Sequence, residues 1–327
     1  MCRMESEDEK LKAKNSNANL QDPYTRLNIP YVKLRFQLVF QEDCLLPEEK
    51  VSALRGGLGE MLLRQNCIRD RNCGACPFIE ECLVHRVFYT KMEKKPPFMK
   101  GEDSIGYLIE CENVQTSFSE GESLFFYLTL FGKAIVNFAQ YLQAFYQLGM
   151  AGLGGEHAQY VIDEVVNQDG MPVLCEGQIY PFHCRPGTLY GYSMERMEEL
   201  REKGMEGKIV FHTPLTLKYR GEFIQEFVPE AIFAALSRRI MMMAYFVGVY
   251  DDEPEFAKYP TVAEQKVRKK AVRRYSSTQR SRVELKGIEG YACLKDIPEE
   301  YLPFLLAGEV IHIGKNSSFG FGRYRIY

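Results

Sequence analysis

One order of apolar periodicities runs through this chain twice. Residues 31–40, YVKLRFQLVF, put Val32, Leu34, Phe36, Leu38 and Phe40 at alternate positions, the pattern of a half-buried strand. In LPEEKVSALRGGLGEMLLRQ (46–65), Val51, Leu54, Leu58 and Met61 stand at helical spacing. Strand patterns follow at 105–111 and 122–131, then an apolar helix at 133–148, then a strand at 159–166. After a Gly/Pro-rich connection at 167–206 the order recurs. It comprises a strand at 208–219, a helix at 229–248, strand signals at 283–294, a short helix at 299–307 and a last strand over EVIHI (309–313). The order β-α-β-β-α-β is that of the split βαβ unit. The chain therefore reads as α+β, with two ferredoxin-like (RRM-like) domains in tandem. The expected boundaries are a flexible tail at 1–29, a first domain at 30–166, the connection at 167–206 and a second domain at 207–327.

Length agrees with two domains, since 327 residues give each half room for its own core. No apolar run reaches membrane-spanning length, because the best candidate, 231–250, is interrupted by Arg238 and Arg239. The first 29 residues are polar and lack the apolar core of an export signal. With ten cysteines and no such signal, a reducing cytoplasm is expected, where clustered thiols hold metals more often than they form disulfides. The net charge of −3 excludes nothing, since an acidic tail can mask a basic face elsewhere.

Three local clusters carry chemistry. The first is Cys67-x5-Cys73-x2-Cys76-x5-Cys82, inserted at about 66–84. Four thiols at this density suit a tetrahedral, water-free and therefore structural site, with zinc favoured over an iron–sulfur cluster. The second is KVRKKAVRRYSSTQRSRVELK (266–286), with nine Lys/Arg against one glutamate. Tyr275 and a run of hydroxyl and amide side chains interleave with its cations, as a surface tracking a nucleic-acid backbone requires. Its candidate RNA contacts are Lys269, Arg273, Arg274, Arg280 and Arg282. The third is the terminal IHIGKNSSFGFGRYRIY (311–327). It fails as a Walker loop, because Asn316 follows Lys315, and as a dinucleotide fingerprint, because no helix follows. Gly314, Gly320, Gly322 and Arg323 are expected to bring backbone N–H groups and charge close to phosphate.

Taken together, FHTPLTLKYRG, ALSRRI, RYSSTQRSRVELKGIEGYACL and above all GEVIHIGKNSSFGFGRYRI resemble the CRISPR-associated RAMP endoribonucleases that cut the repeats of precursor CRISPR RNA. LPEEKVSALRGGLGEML resembles the opening helix of that family, and CGACPFIEEC a cysteine element of one branch. The resemblance implies a nuclease needing no catalytic metal, in which the RNA 2′-OH attacks the adjacent phosphate to give 2′,3′-cyclic phosphate and 5′-OH ends. CRISPR repeat RNA is the implied partner, with other effector subunits as further partners and neither membrane nor small-molecule substrate. Relatives carry a catalytic histidine near the first helix, but this chain has none between residues 30 and 84. His312, two residues before Gly314, is then the expected proton carrier, with Lys315 as charge stabiliser and Arg55 as its helper. His157 is the reserve, and His85 an alternative metal ligand. Two other readings stay open: a RAMP subunit that holds crRNA without cutting, and a metal–thiolate redox or sensing protein.

Overall fold

The computed structural model describes residues 24–90, 92–99, 104–250, 252–276 and 281–327, with side chains left out at 273–276 and 281–283. Most of the expected tail lies outside the described residues. The first half contains β1 (Pro30–Phe40), β2 (Cys44–Leu45), α1 (Val51–Asn66), α2 (Leu83–Val87), β3 (Tyr107–Glu110), β4 (Ser117–Phe118), β5 (Ser123–Phe131), α3 (Phe138–Ala151) and β6 (Tyr160–Val166). β1 pairs antiparallel with β5 on one side and β6 on the other, and β3 lies outside β5. The alternation in β1 turns Leu34, Phe36, Leu38 and Phe40 onto α1 and α3, and Phe36 stacks on its register partner Phe126 at 4.7 Å. α1 begins at Val51, the first of the spaced apolar residues, and not at the start of the 46–65 stretch. Leu46 is held by the Thr116 carbonyl (2.8 Å), and Pro47 biases the residue before it toward extended backbone.

The segment expected to be a mere connection is built structure. β7 (Pro172–Cys175) and β8 (Gln178–Ile179) extend the first sheet beyond β6, and β9 (Gly187–Thr188) pairs with the start of β1. α4 (Leu189–Lys203) follows, its N-terminus capped by the Thr188 hydroxyl, which accepts from the Gly191 N–H at 3.0 Å.

The second half holds β10 (Lys208–Leu215), the small hairpin β11 (Lys218–Tyr219) and β12 (Glu222–Phe223), α5 (Pro229–Phe246), the long hairpin β13 (Thr261–Ser276) and β14 (Ser281–Lys295), α6 (Leu302–Ile311) and β15 (Tyr324–Ile326). The sheet order is β13-β14-β10-β15, all antiparallel. β10 reaches along β14 only as far as Ile288, so residues 281–287 of β14 pair with β13 alone.

The expected strand EVIHI is instead the end of α6. All ten residues of that helix are buried, so its sequence is apolar on every face. A continuous apolar run of this length does not separate a core strand from a core helix. α6 is held between α4, α5 and β15. Ser193 Oγ donates to Pro303 O (2.8 Å), Arg239 Nε to Ile311 O (3.1 Å) and the Tyr324 hydroxyl to Leu305 O (2.6 Å). Glu309 is the polar exception. It accepts from the Tyr192 hydroxyl (2.6 Å), Arg196 Nε (3.2 Å) and the Ile326 N–H (2.8 Å), which satisfies a buried carboxylate.

Ile105, Leu108 and Phe131 of the first half sit in the core of the second, so the two halves share packing. No helix among the described residues is long and apolar enough to cross a membrane.

Candidate functional site

The glycine-rich loop does not stand free. Gly320 adopts a positive φ of 76°, and a Cβ on it would lie 3.0 Å from the carbonyl of Ile109 in the first half. Gly322, at φ 71°, leaves even less room, since its Cβ would fall 1.8 Å from Ile313 O. These two glycines let protein backbone approach protein backbone. The expectation that they clear space for RNA is corrected accordingly. The outer turn, Gly314 to Phe319, borders a cavity.

That cavity is a cleft of about 640 Å3 between the halves. α1 contributes Arg55, and the chain on either side of the first sheet contributes Tyr89 and Ser104. From the second half come Lys218, Arg238, Arg239, Lys315 and the serines 317 and 318. The Arg55 guanidinium lies between two rings, 4.7 Å from the centre of Phe88 and 4.3 Å from that of Phe319, while its Nη2 donates to Ser104 Oγ at 3.2 Å. Phe319 belongs to the glycine-rich loop, so that loop and α1 fix this guanidinium jointly. Beneath it, burial pushes the Tyr107 hydroxyl up to about 12, with Arg55 pulling the other way, which leaves that phenol neutral. Lys315 is exposed, its backbone N–H anchored on Thr216 O (2.8 Å). Arg238 is exposed on α5 beside Phe98. Among the described residues, five cations line this cleft and no carboxylate does. Such a lining attracts an anion and offers donors to its oxygens.

Lys315 and Arg55 line the same cleft, but His312 is not with them. It caps α6 at φ 56° and is wholly buried. Its Nε2 contacts Glu110 Oε1 at 3.0 Å across the interface, where Lys33 also pairs with Glu110 and Arg323 lies 4.0 Å from it. Burial opposes charge on Glu110, yet Lys33 and His312 outweigh it and hold the carboxyl well below the usual range. Burial lowers His312 despite that carboxylate, so the imidazole is neutral at pH 7 and donates from Nε2. Its Nδ1 meets no hydrogen-bond partner among the described residues. The assignment of His312 as proton carrier is corrected: a sealed imidazole bonded to a carboxylate reaches no substrate. Arg323 is likewise committed, being paired with Glu112.

Lys269 is exposed on β13. Arg273, Arg274 and Arg282 fall on the part of the hairpin that only β13 and β14 form, their side chains outside the described residues, and Arg280 lies outside them altogether. His157 and His85 are absent from the cleft lining. Sequence reasoning missed Lys218, Arg238, Tyr89 and Ser104 as lining residues. The one available signal was the Arg238-Arg239 pair, where Ala235 and Met242, at i−3 and i+4 from Arg238, mark one helix face.

Cys67, Cys73, Cys76 and Cys82 line one small enclosure with His85 at its edge. Burial, then the neighbouring thiols of Cys82, Cys67 and Cys76, push the Cys73 thiol above its ordinary value. Among the described residues no three Cys, His, Asp or Glu side chains already stand at ligating positions.

Comparison with known proteins adds the following. Residues 209–324 match the family model described as CRISPR-associated endoribonuclease Cas6, and residues 29–183 match one described as an N-terminal domain. No curated protein matches the chain. A chain of a partial Cas6-RT-Cas1–Cas2 complex is similar over 91% of this chain and 46% of its own length, at 12% identity and a TM-score of 0.55. The fuller Cas6-RT-Cas1–Cas2 complex gives the same identity and TM-score, with 29% of that chain covered. Thermus thermophilus Cas6 is 14% identical, with 90% and 98% covered and a TM-score of 0.47. This chain thus spans less than half the length of the first two relatives. The likeness supports the α+β class with two ferredoxin-like halves. Over residues 209–324 the chain is thus similar to the CRISPR-associated endoribonuclease Cas6 family.

Proposed function

We propose that this protein binds CRISPR repeat RNA and cleaves precursor CRISPR RNA in the basic cleft. The observation that carries the reading is the described cleft lining, five Lys/Arg without a carboxylate, at the place where the family domain meets α1. The scissile phosphate sits against Arg55, Arg238 and Lys315. The nucleophile is the RNA's own 2′-OH, so the protein must take one proton, return one to the 5′-oxygen that leaves, and hold the negative charge that grows on phosphorus. Arg55, fixed by Phe88, Phe319 and Ser104, is preorganised for that last task. Proton transfer falls to the exchangeable groups of the lining, Tyr89 and Lys315. The products are a 2′,3′-cyclic phosphate and a 5′-OH, and no step calls for a divalent metal.

The absence of histidine from the described cleft lining supports a second reading, a subunit that holds the repeat without cutting it. Likeness to a chain of a Cas6-RT-Cas1–Cas2 complex supports other CRISPR subunits as partners under either reading. Labelled repeat RNA incubated with protein in EDTA separates the two. Cleavage to a cyclic-phosphate end, slowed about 10²–10³-fold in Arg55→Ala and Lys315→Ala, supports the nuclease. Tight binding with no product supports the holding subunit.

A further inference from the structure

The cysteine insertion has little apolar interior to hold it. Ile68 and Phe78 point outward, at 80% and 52% exposure, and of its central aliphatic and aromatic side chains only Ile79 turns in, beside Leu63 of α1. Its backbone turns are long-bonded, with Cys76 N to Cys73 O at 3.2 Å and Ile79 N to Cys76 O and Cys82 N to Ile79 O both at 3.3 Å. A surface loop so built needs another source of stability. What it encloses is about 20 Å3 of free space bordered by all four thiols, room for one water or one ion. Arg69 and Arg71 also border it, and among the described residues no carboxylate does.

We propose that Cys67, Cys73, Cys76 and Cys82 hold a single zinc ion. Four soft sulfur donors suit tetrahedral zinc, and a bound cation would give four clustered sulfurs a reason to converge. On binding, each thiol gives up its proton to solvent, and Arg69 and Arg71 border the doubly negative complex that results, Arg71 being also paired with Glu60. With four sulfurs bound no position stays open to water, so the ion positions rather than reacts. Cys67 closes α1, its N–H on Leu63 O at 2.9 Å, three turns beyond Arg55. Cys82 precedes α2, which leads into Phe88 under Arg55 and Tyr89 in the cleft lining. The ion ties the corner between α1 and α2 and so steadies one wall of the cleft, a consequence that rests on the function proposed above.

The test uses full-length protein made with zinc supplied, kept reduced and freed of loose metal. Elemental analysis is expected to find about one zinc per chain, and reconstitution with cobalt the visible absorption of a tetrahedral thiolate complex. Cys76→Ser should lose the metal and melt lower, while Cys293→Ser keeps both. Protein that folds without metal, a brown protein carrying iron and labile sulfide, or a Cys76→Ser variant that retains stoichiometric zinc would each overturn the proposal. Metal content is read without RNA, so a failure of cleavage leaves this result standing.

Discussion

Replacing His312 with alanine distinguishes a histidine that holds the halves together from one that moves protons. The side chain is fully buried and donates to an ionised Glu110, a kind of hydrogen bond worth about 1.5–3 kcal/mol. Deleting the ring also leaves a void, and truncating a large buried side chain costs about 3–5 kcal/mol by itself. Lys33 remains paired with Glu110, which keeps the carboxylate from being stranded and trims the sum. A net loss of about 4 kcal/mol is expected, a large fraction of the ~5–15 kcal/mol that holds a typical protein folded. At about 2–4 °C per kcal/mol for chains of this size, the melting temperature should drop by roughly 12 °C. Scanning calorimetry measures that drop, and single-turnover cleavage at a temperature where the variant is folded measures the chemistry. Because His312 adopts φ 56°, His312→Gly escapes the strain that alanine would keep, and should recover about 1 kcal/mol. The reasoning is refuted if His312→Ala melts with the parent and cleaves 10²–10⁴-fold more slowly, the usual range for a missing general acid or base.

Three further outcomes follow from the same geometry. Gly322→Ala, whose new Cβ would meet Ile313 O at 1.8 Å, should yield poorly folded protein, seen as early loss of the far-ultraviolet signal on heating. Acid should weaken the fold in two stages. His312 lies below its ordinary value of 6.5, so its contribution is complete above that pH and is lost as pH falls through the folded value, and depressed Glu110 adds a second loss at lower pH; urea midpoints measured from pH 7 down to pH 4 should show the first stage vanish in His312→Gln. Arg273→Ala combined with Arg274→Ala should flatten the dependence of repeat affinity on salt by about one unit of slope for each phosphate no longer neutralised, and an unchanged slope would assign that stretch to solvent.

How much of this was legible depended on how each segment is buried. β1 shows one face to the core, so its alternation announced a strand and even its inward set. α6 is buried all round, and with no polar face there was no phase to read, which is why its last residues passed for a strand. α4 was missed for the opposite reason. Its outer face, rich in Glu, Lys and Arg, dominates the sequence, while polar Ser193 and Arg196 interrupt the buried apolar set of Leu189, Met197 and Leu200. Of the site, Lys315 and Arg55 could be named because their segments resemble family elements. His312 misled because proximity along the chain to Gly314 says nothing about which side of the backbone a side chain takes. At that position α6 ends and the backbone swings to positive φ, turning the imidazole inward. Lys218 and Arg238 come from separate stretches of the second half and Tyr89 from the first, and only the docking of the halves brings Tyr89 to the same cleft.

The contact between Glu110 and His312 joins residues 202 positions apart. Closing a loop of that length costs about 5 kcal/mol of chain entropy before the contact returns anything. During synthesis, Glu110 and Lys33 must therefore wait, solvated, until nearly the whole second half has been made and folded. The first half can assemble early on its own core, but the cleft comes into being only at this last docking step. A substitution that slows the docking would thus delay the appearance of the proposed cleavage in freshly made protein while leaving the finished molecule's rate per site unaltered.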